Sequence, residues 1–561
     1  MFEKEVEKVF KKLGMDVKNY VEEPPSPELG DLACTICFEL AKSEKRNPAE
    51  IAEEIVKKIR IPKRGLIKKV EAKSGYINFF FDWEKAGEKI LKEIFEKKEK
   101  YGSSNFGEGK RVMVEFSQPN PVHPMHIGHA RTTFLGDAIS NLLDFLNFKV
   151  IRANYINDLG LQVAKLVTAY LLWGEGKKPE GKPDVWLWEY YIKFHEEEKK
   201  DASLEEKARE ILRKFEVEKN EEIVRIWKRL VEYCVDGFKQ TYERIKVKFD
   251  VFLYESDFRE LGKKIVEEAL KKGVAFKAKN AIIAKLEKYN LPDTVILRSD
   301  GTGLYITSDL GATVYKFKKF KLDRAIWVVS SEQNLYFKQL FKILEVLGYD
   351  FAKNCYHYSY ELVRIPEGKM SSREGRAIVL DEVIEKLVSM AYKEVEKRNP
   401  GMEEGEKLEI AEKIGISALK YAILKVEPEK QIVFDWDKML SFQGDTGPYL
   451  QYALVRCKGI IRKAGELKKD LKPRNLEDEE KAVLKLLAKF PSLCASIAQD
   501  LRIHRICNYA FDLSTAFDKF YEKCQVLKSE KRDFRLSLVE ATRIVLENCL
   551  KIIGMEILEK M

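Results

Sequence analysis

The clearest alternation of apolar and polar positions lies between Val112 and Gln162. Val112–Phe116 is a short apolar, β-branched run that predicts a buried strand, and Val150–Tyr155 predicts a second one. Between them, a Pro-rich turn leads into a helix that opens at His126-Ile127-Gly128-His129 and keeps apolar residues on one face. The pattern predicts a strand–helix–strand unit of the kind that builds a nucleotide-binding parallel sheet.

The rest of the chain predicts two further domains around this unit. Residues 1–105 alternate amphipathic helices with a β-like run at 75–81, and 381–561 are almost wholly helical, as in an α-helical bundle. Residues 106–380 predict an α/β domain with a charged helical insertion at about 173–250. Within it we predict a hairpin of 294–297 and 304–306 around the turn 299–303, a strand at 325–330, a helix at 334–347 and a last strand region at 356–363. The fold class is therefore α/β, with a Rossmann-type parallel-sheet domain between an α+β N-terminal domain and an all-α C-terminal bundle.

Composition limits the class of protein. The 561 residues are 45% hydrophobic and 34% charged, with no apolar run approaching the roughly 20 residues that span a bilayer. The amphipathic N-terminus does not resemble a signal peptide, so we expect a cytoplasmic protein. Nine cysteines argue against a disulfide framework, and we interpret Cys34 and Cys37 as core residues on one helix face rather than as a zinc site. The net charge of +9 permits a polyanionic partner without requiring one.

Three of the six histidines, His123, His126 and His129, lie at the strand-to-helix turn. Gly128 lets a flat base approach the backbone, and a helix N-terminus favours a phosphate. Histidines one turn apart can donate hydrogen bonds to phosphate oxygens. A metal site is the alternative, but no Asp or Glu lies beside them and Pro124 interrupts the spacing.

A second segment, Gly368–Gly375, contains Lys369 and Arg373 between glycines. Two cations on such a loop suit a polyphosphate that leaves as pyrophosphate. Without the histidine turn, the same residues would be typical of an ordinary surface turn.

Together, HIGH and KMSSR resemble the HIGH and KMSKS signatures of class I aminoacyl-tRNA synthetases. The surrounding residues resemble arginyl-tRNA synthetases over nearly the whole chain, in the segments EFSQPN (115–120), NDLGLQ (157–162), YITSD (305–309), SSEQNL (330–335) and GDTGPYLQY (444–452). The resemblance implies ATP-dependent activation of arginine, followed by transfer of the arginyl group to the terminal ribose 2′-hydroxyl of tRNA(Arg). It also implies Mg²⁺ carried by ATP with no metal site on the protein, and a monomer.

The resemblance also implies the residues of the site. A guanidinium requires carboxylates for bidentate contact, and the implied arginine-binding residues are Glu115, Asn120, Tyr305, Asp309 and Gln333. Outside this context, Glu115 would be interpreted as a carboxylate paired with a lysine and Asp309 as a helix cap. The implied ATP-binding residues are His123, His126, Gly128, His129, Lys369, Met370, Ser371 and Ser372, of which His126, His129 and Lys369 would be catalytic.

The chain departs from the family pattern at three positions. Ser372 replaces the second lysine of KMSKS, and the lysine that some members carry before HIGH is His123 here. Our hypothesis is that Arg373 supplies the missing catalytic cation. Ser308 replaces the usual arginine beside Asp309.

The implied tRNA contacts are Asn78 in the N-terminal domain, which would bind the tRNA elbow, and Tyr449, Tyr452, Tyr521 and Met561 in the anticodon-binding bundle. Aromatic residues at helical spacing are often core residues instead. Another class I synthetase, a HIGH-type nucleotidylyltransferase and a non-enzymatic tRNA-binding descendant are the alternative functions. The carboxylates Glu115 and Asp309 disfavour the first, the long helical bundle the second, and an intact HIGH with Lys369 the third.

Overall fold

The computed structural model describes residues 1–62, 64–279, 281–298, 304–364, 378–433, 436–466 and 469–561. They form two compact units, one of Met1–Gly102, Ala453–Leu493 and Phe511–Asn548, and one of Ser103–Tyr452, Cys494–Ala510 and Cys549–Met561. The turn predicted at 299–303 and the segment Gly368–Gly375 lie outside the described residues.

The strands, in chain order, are β1 (Val21–Glu22), β2 (Leu32–Cys34), β3 (Ile67–Lys73), β4 (Tyr76–Phe81), β5 (Arg111–Glu115), β6 (Lys149–Ile156), β7 (Val251–Tyr254), β8 (Ala275–Ala278), β9 (Ala281–Ala284), β10 (Thr294–Arg298), β11 (Arg324–Ser330), β12 (Cys355–Tyr360), β13 (Val363–Arg364) and β14 (Ile432–Val433).

The α-helices are α1 (Phe2–Lys11), α2 (Ile36–Glu44), α3 (Pro48–Lys58), α4 (Trp83–Lys97), α5 (Ile127–Phe145), α6 (Leu161–Trp173), α7 (Pro183–Glu198), α8 (Ser203–Glu216), α9 (Glu221–Arg244), α10 (Arg259–Lys271), α11 (Tyr305–Phe320), α12 (Asn334–Val346), α13 (Leu380–Arg398), α14 (Glu404–Leu424), α15 (Trp436–Met439), α16 (Gly447–Ala464), α17 (Asp478–Asp500), α18 (His504–Lys523) and α19 (Arg532–Ile552).

The N-terminal part of the first unit is an antiparallel sheet in the order β1-β2-β4-β3 with α1–α4. Phe79 and Phe81 are buried, as expected for alternate residues of a strand that face a core. Cys34 and Cys37 are buried too, which confirms their interpretation as core residues. The prediction that both cysteines lie on one helix face is wrong. Cys34 lies in β2 and pairs with Ile77 of β4, and only Cys37 lies on a helix.

The second unit is built on a five-stranded, entirely parallel sheet in the order β12-β11-β5-β6-β7. It confirms the predicted strand–helix–strand unit of β5, α5 and β6 and the Rossmann-type fold class. The helices α7–α9 fill the region of the predicted insertion.

The prediction of a strand at 304–306 is wrong, because α11 already begins at Tyr305. The backbone N–H of Leu304 donates to Thr307 Oγ1 at 3.0 Å and so starts a helix instead of a second hairpin strand. The antiparallel partner of β10 is β9, which precedes it in the chain.

Helices α13–α19 confirm the all-α C-terminal region, with β14 as its short strand. By length and composition alone, α17 is the one helix of the described ranges that could cross a membrane. Its Leu484 and Leu487 are buried within the protein, and its buried Glu480 is ion-paired with Arg535 at 2.7 Å. These contacts are typical of a core helix.

Candidate active site

The candidate site is a cleft of about 600 Å³ at the carboxyl edge of the parallel sheet. From β5, the chain adds β6 and β7 on one side of the sheet and later adds β11 and β12 on the other side. The carboxyl ends of β5 and β11 therefore flank a topological switch point. Ligands of open α/β sheets bind at such a point, outside the carboxyl ends of the strands.

The cleft brings together the residues predicted for both halves of the site. Its walls include Glu115, Asn120, His126, Gly128, His129, Tyr305, Asp309 and Gln333. Lys369, Met370, Ser371, Ser372 and Arg373 lie outside the described residues. Their predicted contacts with ATP, and the hypothesis on Arg373, therefore stay predictions.

His126 and His129 are held in one defined tautomer. The backbone N–H of Gly128 donates to His126 Nδ1, and the N–H of His126 donates to His129 Nδ1, each at 3.1 Å. Burial lowers the pKa of His126 to about 3 and that of His129 well below its usual value, so both rings are neutral. A neutral ring that accepts at Nδ1 carries its proton on Nε2, which makes both Nε2–H groups donors for an anion.

His123 differs from its two neighbours. It is buried, does not line the cleft, and its ring centroid lies 5.6 Å from that of His126. Its Nδ1 donates to the carbonyl of Pro124 at 2.9 Å, and burial lowers its pKa. The neutral ring then has only an acceptor at Nε2, which suits packing behind the other histidines better than contact with a phosphate.

The turn between β5 and α5 has a strained backbone that several hydrogen bonds hold in place. Ser117 and Gln118 have φ of 76° and 50°, in the left-handed region that ordinary residues rarely adopt. The Ser117 N–H donates to Thr132 Oγ1 at 3.2 Å, and its hydroxyl lies 2.6 Å from Tyr242 Oη. The turn therefore leads from Glu115 to the exposed Asn120 along a fixed path.

Glu115 is not a vacant carboxylate. Its side chain is ion-paired with Lys316 of α11, and Gln118 Nε2 donates to its Oε1 at 3.0 Å. The Lys316 ammonium also lies 4.6 Å from the centroid of the Tyr155 ring. The alternative interpretation of Glu115, pairing with a lysine, thus describes its contact in this structure.

Asp309 has no ion-pair partner among the described residues. It accepts a hydrogen bond from Tyr336 Oη. Burial raises the pKa of the Asp309 carboxyl, and the charge of Glu115 adds to this rise, while Tyr336 and Lys316 oppose it. A cation placed here would restore the full negative charge of the carboxylate.

Two glycines fix the helix that carries Asp309. A Cβ on Gly262 of α10 would lie 1.8 Å from the carbonyl oxygen of Thr307, and one on Gly311 would lie 2.5 Å from that of Phe258. The backbones of α10 and α11 approach each other this closely only because both positions lack a side chain. Ser308 is fully buried between Thr307 and Asp309, so the position where the family usually has arginine is part of this packed interface.

The sequence did not reveal three residues at or near the site. Lys316 and Tyr336 partner the two predicted carboxylates. Glu255, which follows β7, is a buried carboxyl close enough to Asp309 to raise its own pKa further, but it does not line the cleft. Burial raises the pKa of Glu255 to about 8, although Arg259 opposes the shift. Only the position of Glu255 directly after a short apolar run could have suggested it, because the end of a parallel strand faces the ligand edge.

The predicted tRNA-binding residues lie in different environments. Asn78 is 4% exposed in the middle of β4, whereas Tyr521 is 43% exposed and lies 5.4 Å from the Arg456 guanidinium. Tyr449, Tyr452 and Met561 are half-buried. Contacts with RNA stay predictions for all five residues, and Asn78 would need to act from a buried position.

The parallel sheet, the HIGH turn at its switch point and the helical C-terminal region define a class I aminoacyl-tRNA synthetase. Three family descriptions match the chain: "Arginyl tRNA synthetase N terminal domain" over residues 1–81, "tRNA synthetases class I (R), catalytic domain" over 90–436 and "DALR anticodon binding domain" over 450–561.

Known proteins resemble the chain over its full length. An arginine–tRNA ligase of Halothermothrix orenii is 38% identical over 550 residues, covering 97% of this chain and 96% of that protein. One from Clostridium perfringens is 37% identical over 552 residues, with the same coverages. The arginyl-tRNA synthetase structure from Thermus thermophilus superposes with a TM-score of 0.83 at 26% identity, covering 100% of this chain and 99% of that one. The chain belongs to the arginyl-tRNA synthetase family.

Proposed function

We propose that the chain is an ATP-dependent arginine–tRNA ligase of the cytoplasm that acts as a monomer. The arginine carboxylate attacks the α-phosphate of ATP and expels pyrophosphate, and the arginyl group then passes to the 2′-hydroxyl of the terminal adenosine of tRNA(Arg). One observation carries this proposal: neutral histidine donors line the same cleft as the buried Glu115 and the half-buried Asp309.

Asp309 is the first carboxylate for the substrate guanidinium. It is the carboxylate of the cleft that already has a neutral donor, Tyr336, but no cation, so a guanidinium would supply the missing positive charge. Tyr305, which is 58% exposed and begins the same helix, can cover the guanidinium plane. Glu115 is the second carboxylate that we propose for the guanidinium, although Lys316 already neutralises its charge. The exposed Asn120 and Gln333 can bind the polar groups at the other end of arginine.

His126 and His129 stabilise the reacting phosphate. Their Nε2–H groups donate to oxygens whose negative charge grows as the bond to arginine forms, and because neither ring is charged, release of the product is not opposed by a fixed cation. Gly128, the second residue of α5, leaves space for the adenine to lie against the backbone. Lys369, with Arg373 as our hypothesis for the second cation, neutralises the pyrophosphate that leaves.

Mg²⁺ enters with ATP and neutralises part of its phosphate charge. We assign it no protein ligand, because we assign Glu115 and Asp309 of the cleft to the guanidinium. We further propose that residues 1–105 bind the tRNA elbow, 106–380 carry the catalysis and 381–561 bind the anticodon.

The proposal is tested by ATP–pyrophosphate exchange with each amino acid in turn, with and without tRNA. Exchange that depends on arginine is expected. Exchange that depends on a different amino acid would refute the substrate, and its complete absence under both conditions would refute the activity.

A further inference from the structure

A second cavity, of about 510 Å³, lies at the amino edge of the parallel sheet, away from the candidate active site at the carboxyl edge. Residues at the amino ends of four strands form its wall: Lys110 before β5, Phe148 before β6, Arg324 at the start of β11 and Asn354 before β12. These strands are five to eight residues long and therefore extend about 17–26 Å. The cavity and the cleft are thus separated by the length of the strands and share no lining residue.

The wall of this cavity carries more positive than negative charge. Its charged lining residues are Lys110, Arg324, Lys353 and Asp323. One oxygen of Asp323 is engaged with the backbone, because its Oδ2 accepts a hydrogen bond from the N–H of Arg111 at 2.8 Å. Lys110 has an exposed partner outside the wall, Glu108 at 3.3 Å. Even when Glu108 is counted against Lys110, two cations remain in the wall against one carboxylate.

Arg324 is a half-buried cation without an acidic partner. Its Cζ lies 5.0 Å from the centroid of the Tyr356 ring, and its side chain forms no hydrogen bond or ion pair with the residues that the structure describes. Burial lowers the pKa of this guanidinium, because no counter-charge offsets the lost hydration. Charges removed from water are normally paired, so an anion bound in the cavity would stabilise Arg324.

The chemistry of the wall suits a small ligand that bears phosphate. A guanidinium can bind two oxygens of one phosphate group, and an ammonium such as that of Lys353 adds a point charge. Cations that come from loops before different strands favour a ligand with two or more negative charges over a single carboxylate. The volume lies within the range of about 300–1,000 Å³ that is typical of sites for small molecules.

We infer that this cavity is a second binding site, for a small compound that carries a phosphate or pyrophosphate group. Arg324 is its bidentate contact, and Lys353 and Lys110 supply further positive charge. The aromatic rings of Tyr356 and Phe148 add apolar surface for the rest of such a compound.

Cys355 reports on this cavity from its own wall. It is half-buried, whereas the other eight cysteines of the chain are buried. Burial raises the pKa of the Cys355 thiol to about 12, so its alkylation at mildly alkaline pH is slow. Mass spectrometry of the peptide that contains Cys355 can follow this reaction with iodoacetamide, and a ligand in the cavity should shield the thiol.

The test measures how inorganic pyrophosphate, at constant ionic strength, slows the alkylation of Cys355. Wild-type protein should be protected in a saturable manner. Arg324→Gln should require about tenfold more pyrophosphate for the same protection, because it loses a charged, bidentate contact. Lys353→Gln should shift the required concentration in the same direction. Because Lys353 is exposed, this variant tests the site even if Arg324→Gln does not fold.

Lys149→Gln is the matched control, because Lys149 is an exposed cation at the same edge of the sheet that does not line the cavity. It should be protected at the same pyrophosphate concentration as the wild type. No protection of the wild type, or equal protection of all variants, would overturn the inference. Equal protection by citrate would overturn the assignment to phosphates. Protection by an RNA oligonucleotide but not by pyrophosphate would overturn it in favour of a surface for nucleic acid.

Discussion

Lys316 forms an ion pair with Glu115 in the wall of the cleft, and the two side chains are only 2% and 4% exposed. Two buried charges that neutralise each other leave the neighbouring Asp309 as the carboxylate without a cation. The sequence did not indicate this difference between Glu115, which has a lysine partner, and Asp309, which has none among the described residues.

The role of Asp309 predicts a large effect on substrate affinity. Asp309→Asn keeps the size of the side chain and an acceptor for Tyr336 but removes the charge that faces the guanidinium. Arginine affinity, measured by calorimetric titration, should fall by about 3–5 kcal/mol. Glu332→Gln is the control, because Glu332 is an exposed acid on the wall of the same cleft, and it should change affinity little. A loss below about tenfold, or 1.4 kcal/mol, would make Asp309 a helix residue without a role in recognition.

The buried ion pair predicts non-additive stabilities. Lys316→Met leaves Glu115 without its counter-charge and should destabilise the catalytic unit by about 3–5 kcal/mol. The double variant Lys316→Met/Glu115→Gln removes both charges and should be markedly more stable than Lys316→Met alone. Thermal unfolding midpoints measure this at neutral pH. A double variant as unstable as the sum of the two single changes would mean that the residues do not act as a pair.

How far the sequence could predict this site depends on the distance over which each feature is encoded. Strand β5, the HIGH turn and α5 form a local unit, and periodicity together with turn residues predicted them to within one or two residues. Lys316 is distant in the chain from its partner Glu115. Tyr336 lies on a different helix from its partner Asp309. Only the fold brings α11 next to β5 and α12, and no local pattern encodes that packing.

The prediction of a strand at 304–306 is wrong for a similar reason. A glycine-rich turn followed by Leu304, Tyr305 and Ile306 is typical of a hairpin. The side chain of Thr307 instead accepts a hydrogen bond from Leu304 and starts α11, and β9 already occupies the place of the hairpin partner. A local cap and a competing strand thus outweigh the turn signal.

The neutral histidines predict a specific pH dependence. The pKa of His126 is about 3 in the folded protein and near 6.5 when unfolded, so the unfolded chain takes up the proton first. The free energy of unfolding is therefore unaffected by this group above pH 6.5. It decreases as the pH falls from 6.5 towards 3, by at most about 1.4 kcal/mol per pH unit.

His126→Asn, which retains an acceptor for the Gly128 N–H, should flatten this dependence. The checking measurement is the unfolding midpoint of both proteins between pH 7.5 and 5, the range over which the rings stay neutral when folded. Parallel curves for the two proteins would contradict a neutral, buried His126.

The segment Gly368–Gly375 predicts a separation of binding from chemistry. Arg373→Ala and Lys369→Ala should both slow adenylate formation, because each removes a cation that we propose neutralises the leaving pyrophosphate. Arginine affinity should be unaffected, since neither residue is expected at the guanidinium. Single-turnover adenylate formation at saturating arginine and ATP measures the rate. An unchanged rate for Arg373→Ala would leave Lys369 as the one cation of this segment in the mechanism.

We propose that this cleft activates arginine for attachment to tRNA. The most direct measurement offers the wild-type protein total tRNA, ATP and each labelled amino acid in separate reactions, and asks which label becomes attached to RNA. We predict that arginine alone is attached. Attachment of any other amino acid, or of none, would contradict this function.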